Sequence, residues 1–238
     1  MNSLQLSKRL KTVASYVEQG GVIADIGSDH AYLPCYICLQ DETATAIAGE
    51  VNQGPYEAAK GEVERQELTA RIQVRKGDGL QVLDPNEATH ITIAGMGGTL
   101  ISSILENGKS SLAGVKRIIT QPNVDAEDVR RWFRKEGYAL IDETILEEDG
   151  RIYEVLVAEP GNPFAAYSEQ EQEQEKELWF GPYLLKKRQP AFLKKWQLEK
   201  GKLNRVVGQM KQAQQPDEYK ILQFNERIKW IEEVMHNG

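Results

Sequence analysis

Apolar positions first recur at near-helical spacing: Leu4, Leu6, Leu10, Val13, Ala14 and Val17 predict a helix over 3–18, which Gly20-Gly21 stops. The pattern then alternates. Short runs of β-branched or small apolar residues at 22–26, 45–49, 72–76, 90–94 and 116–120 read as strands. Helix-like stretches near 31–40, 55–67, 98–107 and 125–136 separate them. Such alternation predicts an α/β fold, a parallel sheet with helices on both faces. Two further strand-like runs, 138–146 and 151–158, are joined by Glu147-Glu148-Asp149-Gly150, and the Asp-Gly tip favours a tight antiparallel reversal.

Pro160-Gly161-Asn162-Pro163 then punctuates the chain. Residues 168–177 alternate Glu and Gln with almost no apolar content, as a solvated helix start or a linker would. Beyond Pro190 the pattern is wholly helical. Leu193, Trp196, Leu203, Val207 and Met210 step by threes and fours once Lys200 is counted. Ile221, Phe224, Ile228, Ile231 and Met235 repeat that spacing after Gln214-Gln215-Pro216-Asp217. Two stripes joined by a short turn predict an antiparallel helical hairpin with a coiled-coil-like seam. The expected division is a sheet domain over 1–162 and a helical domain over 163–238.

With 238 residues, 40% of them hydrophobic, the chain can bury a real core and still carry an appendage. No apolar run approaches the roughly 20 residues of a membrane helix, and the N-terminus lacks a signal-peptide pattern, so a cytoplasmic protein without membrane contact is expected. Cys35 and Cys38 are the two cysteines. No second Cys or His pair completes the set of about four ligands that zinc needs, so no metal is expected. The formal charge of −7 argues against nucleic acid if read globally, but the cations cluster. Lys186, Lys187, Arg188, Lys194, Lys195, Lys200, Lys202, Arg205 and Lys211 lie in a stretch where Glu199 is the only acid. A solvated helix face normally pairs both signs, so this one-sided run is a candidate polyanion-contacting arm.

Candidate chemistry gathers at the strand ends. Asp25-Ile26-Gly27-Ser28-Asp29-His30 closes a buried strand and opens a glycine turn, the nucleoside-binding start of an open α/β sheet. A dinucleotide site wants G-x-G-x-x-G. Here one glycine stands where three are needed, and Asp25 and Asp29 would repel a diphosphate. The expected ligand is a nucleoside with a cationic or amino-bearing tail, a description that S-adenosyl-L-methionine fits. Asp25 can meet the ammonium group beside Gly27, and Glu50, about 25 residues later, can bond a ribose hydroxyl. Asp78, in Gly77-Asp78-Gly79, can accept from the adenine amino group. The fourth strand runs into Gly95-Met96-Gly97-Gly98, a loop with little side chain that suits close approach of backbone to ligand. After the fifth, Gln121-Pro122-Asn123 either reads a base edge with its amides or caps the next helix through Asn123 or Asp125, and both readings stay open. His30 adjoins the cofactor loop in a supporting role, and His90 reads as structural.

Leu6-Ser7-Lys8-Arg9-Leu10, the run 24–34, Gly49-Glu50, the run 77–80, the run 93–98, Gln121-Pro122-Asn123 and the run 147–155 together resemble one family. It is the bacterial tRNA (adenine-N1)-methyltransferases that modify the adenine at position twenty-two, in the D-arm region. The likeness runs through essentially the whole chain, in the C-terminal part by architecture more than by sequence. It implies a Rossmann-like methyltransferase sheet of five parallel strands plus the antiparallel hairpin, with S-adenosyl-L-methionine as donor and tRNA as substrate. The cofactor contacts it implies are Asp25, Gly27, Ser28, Asp29, His30, Glu50, Asp78, Gly79, Gly95, Met96 and Gly97. It makes Gln121-Pro122-Asn123 similar to the N/D-P-P-Y loop that holds a target base, so these three and Asp29 are the expected catalytic residues. Arg9, Tyr32, Lys187, Arg188, Lys194 and Lys195 are the expected tRNA contacts, and a monomer is expected. The rival readings are a methyltransferase acting on a small molecule or protein, and a non-catalytic RNA-binding module on the same fold.

Overall fold

The computed structural model describes residues 3–236. Its strands are β1 (Val22–Ile26), β2 (Thr45–Glu50), β3 (Ile72–Lys76), β4 (His90–Gly97), β5 (Arg117–Val124), β6 (Tyr138–Glu148) and β7 (Arg151–Pro160). They form one sheet in the order β3-β2-β1-β4-β5-β7-β6. β1 to β5 run parallel, and β7 pairs antiparallel with both β5 and β6. The second strand of the hairpin, rather than the first, therefore joins the parallel sheet. Val155-Leu156-Val157-Ala158 is an unbroken buried run suited to that inner place, whereas β6 mixes buried and half-buried residues as an edge strand does. Strand order reverses between β1 and β4, and open α/β sheets bind ligands at the carboxyl ends beside such a reversal.

Alternate residues feed the two faces. Ile91, Ile93, Ile118, Leu156 and Ala158 pack under α4 (Gly98–Asn107) and α5 (Ala126–Lys135). Ile23, Ala46, Ala48, Val155 and Val157 pack under α1 (Lys8–Ala14), α2 (Tyr32–Gln40) and α3 (Gln53–Arg65). The helix expected over 3–18 is confined to α1, where the Ser7 hydroxyl accepts the Leu10 amide at 3.3 Å as its cap. The fourth and fifth strands outrun their expected ends at 94 and 120. Met96 pairs with Pro122 and Gly97 with Val124, after a register shift at Gly95, whose φ of 82° lets the ladder bulge and continue.

Four helices follow: α6 (Glu171–Phe180), α7 (Pro182–Lys187), α8 (Pro190–Lys211) and α9 (Glu218–His236). Of the two readings of 168–177, the helix start holds, since α6 begins at Glu171. Trp179, Phe180, Phe192, Trp196, Leu203, Val207, Ile221, Ile228 and Ile231 form a third core that includes Ile145 of β6. The one-sided charge along the basic run is balanced from other elements: Lys187 pairs with Asp142 at 2.5 Å, Lys194 with Glu147 at 2.6 Å, Lys195 with Glu154, and Lys200 with Glu232 at 2.8 Å. Arg188 reaches the carbonyl of Val234. No helix of the described residues is long and apolar enough to cross a membrane, and none of their His, Cys, Asp and Glu side chains group to hold a metal ion. Cys35 and Cys38 are free and buried, and burial pushes their thiols up to about 12 and about 11. Neither has the low thiol pKa of a reactive cysteine.

Candidate active site

The turn after β1 forms one wall of the site. The Asp25 carboxylate is buried and accepts the Ser28 hydroxyl at 2.6 Å and the Thr92 hydroxyl at 2.7 Å. Burial pushes this carboxyl above its ordinary value, against the two hydrogen bonds that favour its charged form. The Gly27 and Ser28 amides both donate to the Gly49 carbonyl, at 2.9 and 3.3 Å. Gly27 has φ of 70°, a conformation that strains any side chain, and the Met96 methyl stands where a Cβ would be.

Asp29, His30 and Ala31 follow with φ of 40°, 69° and 54°, three successive non-glycine residues in the left-handed region. Each such residue stores roughly 1–2 kcal/mol, and that conformation persists only where surroundings enforce it. Three anchors do so here. Glu50 accepts the Asp29 amide, the Ala31 side chain is buried, and the His30 and Tyr32 rings stack at 5.2 Å. Burial also raises the Glu50 carboxyl, partly offset by the Asp29 amide. The Asp29 carboxylate itself is 77% exposed.

Gln121, fully buried at the end of β5, organises the other wall. Its amide oxygen accepts the Gly95 amide at 3.1 Å and the Arg9 guanidinium, and its Nε2 donates to the Pro122 carbonyl and to Asn123 Oδ1, at 3.0 and 3.2 Å. That amide is committed internally, so only Asn123 is placed to read a base. Asn123 Nδ2 donates to the Gly95 carbonyl at 2.7 Å, which leaves one amide N–H and one oxygen lone pair open. The capping alternative holds for Asp125 by position only, and not for Asn123. Asp125 occupies the cap of α5 without a side-chain hydrogen bond, and Asn123 belongs to β5. Arg9 arrives from α1 because Glu148, at the hairpin tip, accepts the Lys8 and Arg9 amides at 2.6 and 3.2 Å. A carboxylate at a helix N-terminus also satisfies the helix dipole. The guanidinium of Arg9 then lies 5.3 Å from the Tyr153 ring centroid.

Between these walls lies a cavity of about 670 Å³. Of the expected residues, Arg9, Asp25, Gly27, Ser28, Asp29, Gly95, Met96 and Asn123 line it. Glu50 and Gln121 stand behind the wall through Asp29 and through Gly95, and His30 and Tyr32 flank the turn. Asp78 and Gly79 line a separate hollow of about 180 Å³ at the end of β3, against Ile104. Gly97 lies at its pairing with Val124, and Lys187, Arg188, Lys194 and Lys195 stand outside the cavity. Leu10, Leu33, Arg151, Ile152 and Tyr153 also line it and were not among the expected site residues. The last three follow the Asp149-Gly150 turn, whose docking on α1 no local pattern reveals.

A mixed sheet with acids at its carboxyl edge and a glycine-cradled cavity invites comparison with known proteins. Residues 23–233 match the family model described as tRNA (adenine(22)-N(1))-methyltransferase. The tRNA (adenine(22)-N(1))-methyltransferase of Bacillus subtilis is 49% identical over 240 residues, covering 100% of both chains. The crystal structure of the B. subtilis m1A22 tRNA methyltransferase TrmK superposes with a TM-score of 0.92, covering 98% of this chain and 99% of that one. Streptococcus pneumoniae Sp1610, solved in complex with S-adenosyl-L-methionine, is 40% identical, with a TM-score of 0.85 over 98% of this chain and 100% of its own. The chain belongs to the tRNA (adenine(22)-N(1))-methyltransferase family.

Proposed function

We propose that the protein binds S-adenosyl-L-methionine in the 670 Å³ cavity and methylates N1 of adenine 22 in tRNA. The observation that carries this reading is the cavity itself: carboxylates and a glycine turn from β1 on one side, the Arg9–Gln121–Asn123 network on the other. The residues fit the cofactor. Asp25 can hold its ammonium group, Gly27 leaves room for its close approach, and Glu50, behind the wall, holds the Asp29 amide in place. When bound, the cofactor supplies a methyl group activated by a sulfonium.

The side chains have little covalent work to do. Neutral adenine N1 attacks with its own lone pair, and the base gains a positive charge as it does so. Asp29, exposed on the cavity wall, stabilises that charge, and Asn123 orients the base through its remaining amide groups. N1 is engaged in pairing within folded tRNA, so the base must be extruded to reach them. Arg151, exposed at the cavity and without an ion pair among the described residues, contacts phosphate. Lys187, Lys194 and Lys195 would have to leave their carboxylate partners to touch RNA. A tRNA-contacting helical domain over 163–238 therefore rests more on Arg205 and Lys211, which no carboxylate of the described residues pairs. A cytoplasmic monomer suffices for this chemistry.

The decisive experiment is methylation of an unmodified tRNA transcript, with the product nucleoside identified and mapped by mass spectrometry. 1-Methyladenosine at position 22 is expected, and transfer to any other atom, or none, defeats the reading. A second expectation concerns pH. The cation is held by the ionised Asp25 carboxylate, and burial raises that group above its ordinary value. Cofactor affinity should therefore fall on acidification at a higher pH than ordinary carboxylates, near 4, would impose. Titration calorimetry across that range checks it, and Asp25→Asn should flatten the profile while weakening binding throughout.

A further inference from the structure

A second cavity, about 280 Å³, lies between the end of β5, the start of α5, and helices α8 and α9. It shares Asn123 and Ile152 with the first, so whatever enters one lies beside whatever enters the other. Its size falls near the lower end of small-ligand sites, roughly 300–1,000 Å³. Resting on the tRNA reading above, we propose that this cavity binds the base of a nucleotide adjoining the methylated adenine, stacked on Arg227.

The charges of the lining exclude a phosphate. Three cations face the space, and each already stands by a carboxylate: Lys195 by Glu154, Lys202 by Glu199 at 3.4 Å, and Arg227 by Glu127 at 3.5 Å. Asp125 and Asp128 add two more acids, so a phosphate would be repelled while a neutral base would not. Arg227 supplies the surface. Its guanidinium carbon lies 4.9 Å from the Trp179 ring centroid and its Nη2 3.5 Å from Glu127, and its side chain is 40% exposed. A guanidinium backed by an aromatic ring and open on its other side offers a stacking surface for an unpaired base.

The remaining walls suit the same ligand. Val124, directly after Asn123 and 59% exposed, gives apolar surface. Trp196 adds aromatic wall beside Trp179. The carboxylates accept from exocyclic amino groups, so adenine, guanine or cytosine should be held in preference to uracil. Gripping the neighbour would keep the target base extruded while the methyl group is transferred.

The test measures steady-state methylation of an unmodified tRNA transcript by wild type, Arg227→Ala and Arg227→Lys. It is repeated on transcripts carrying an abasic residue on either side of the target adenine. Arg227→Ala should raise KM for tRNA about tenfold, with cofactor affinity by calorimetry unchanged. Arg227→Lys should not restore it, because lysine keeps the charge and loses the plane. One abasic neighbour should raise KM for wild type by a similar factor and add little to Arg227→Ala. Rescue by lysine would mean a simple charge contact and would overturn the proposal. So would additive losses, or indifference of wild type to both abasic substitutions, a measurement that needs no variant to fold. If wild type forms no 1-methyladenosine, the functional reading itself fails; if it forms it and ignores Arg227, only this inference does.

Discussion

Arg130→Ala is expected to destabilise the protein by about 3–5 kcal/mol, a large share of the roughly 5–15 kcal/mol that holds a typical domain folded. Arg130 is fully buried and bonds Glu143 and Glu154, each at 2.6 Å. Its Nη1 also donates to the Leu178 and Trp179 carbonyls at 3.2 and 3.4 Å, tying α6 to the sheet. Glu143 in turn accepts the Tyr183 amide at 3.0 Å, at the start of α7. Burial drives the Glu143 carboxyl up, while for Glu154 the same burial penalty is outweighed by Lys195 and Arg130, which hold it below its ordinary value. Removing the guanidinium leaves two carboxylates in a dry site and unfastens the helices behind them. Urea denaturation gives the loss directly, and a value below about 1 kcal/mol would show that the network contributes little. Replacing Arg130, Glu143 and Glu154 together by apolar residues of similar volume should recover much of the stability, because no buried charge then goes unpaired.

Asn123→Ala should lower the methylation rate about 100-fold, with cofactor affinity intact and stability reduced by about 1 kcal/mol. Asn123 ties the Gly95 carbonyl to the Gln121 amide across the bulge of β4, and its other amide groups face the cavity. Losing it relaxes the bulge and removes the base-orienting contact together, and a misplacement near 1 Å costs about that factor in rate. Single-turnover methylation beside calorimetry and thermal melting separates the two effects. An unchanged rate in a folded protein removes Asn123 from the chemistry. Gln121→Ala should behave differently, losing stability as well, since Gln121 is buried and anchors both Arg9 and Gly95.

Much of the site was legible because a parallel sheet brings the carboxyl ends of its strands to one edge. Once β1, β2, β4 and β5 were read from period and turn residues, Asp25, Gly27, Glu50, Gly95 and Asn123 had to lie near one another. Spacing cannot assign a role between two groups of like chemistry. Gln121 and Asn123 look alike in sequence, yet one is an internal clamp and the other faces the cavity. Asp78 sits at a strand end as expected, and lines a hollow at the end of β3.

Local chemistry, acting over a few residues, determined the alternation of strands and helices, the glycine turn after β1, the hairpin at Asp149-Gly150 and the two long C-terminal helices. Packing between distant segments decided the rest. The unbroken apolar run 155–158 found its burial between β5 and β6, reversing the order a simple hairpin suggests. Lys195 met Glu154 across 41 residues, and Arg9 met Gln121 across 112. A side chain's period marks which face it takes, but the partner waiting on that face is set by the whole chain's compaction, and no short window of sequence contains it.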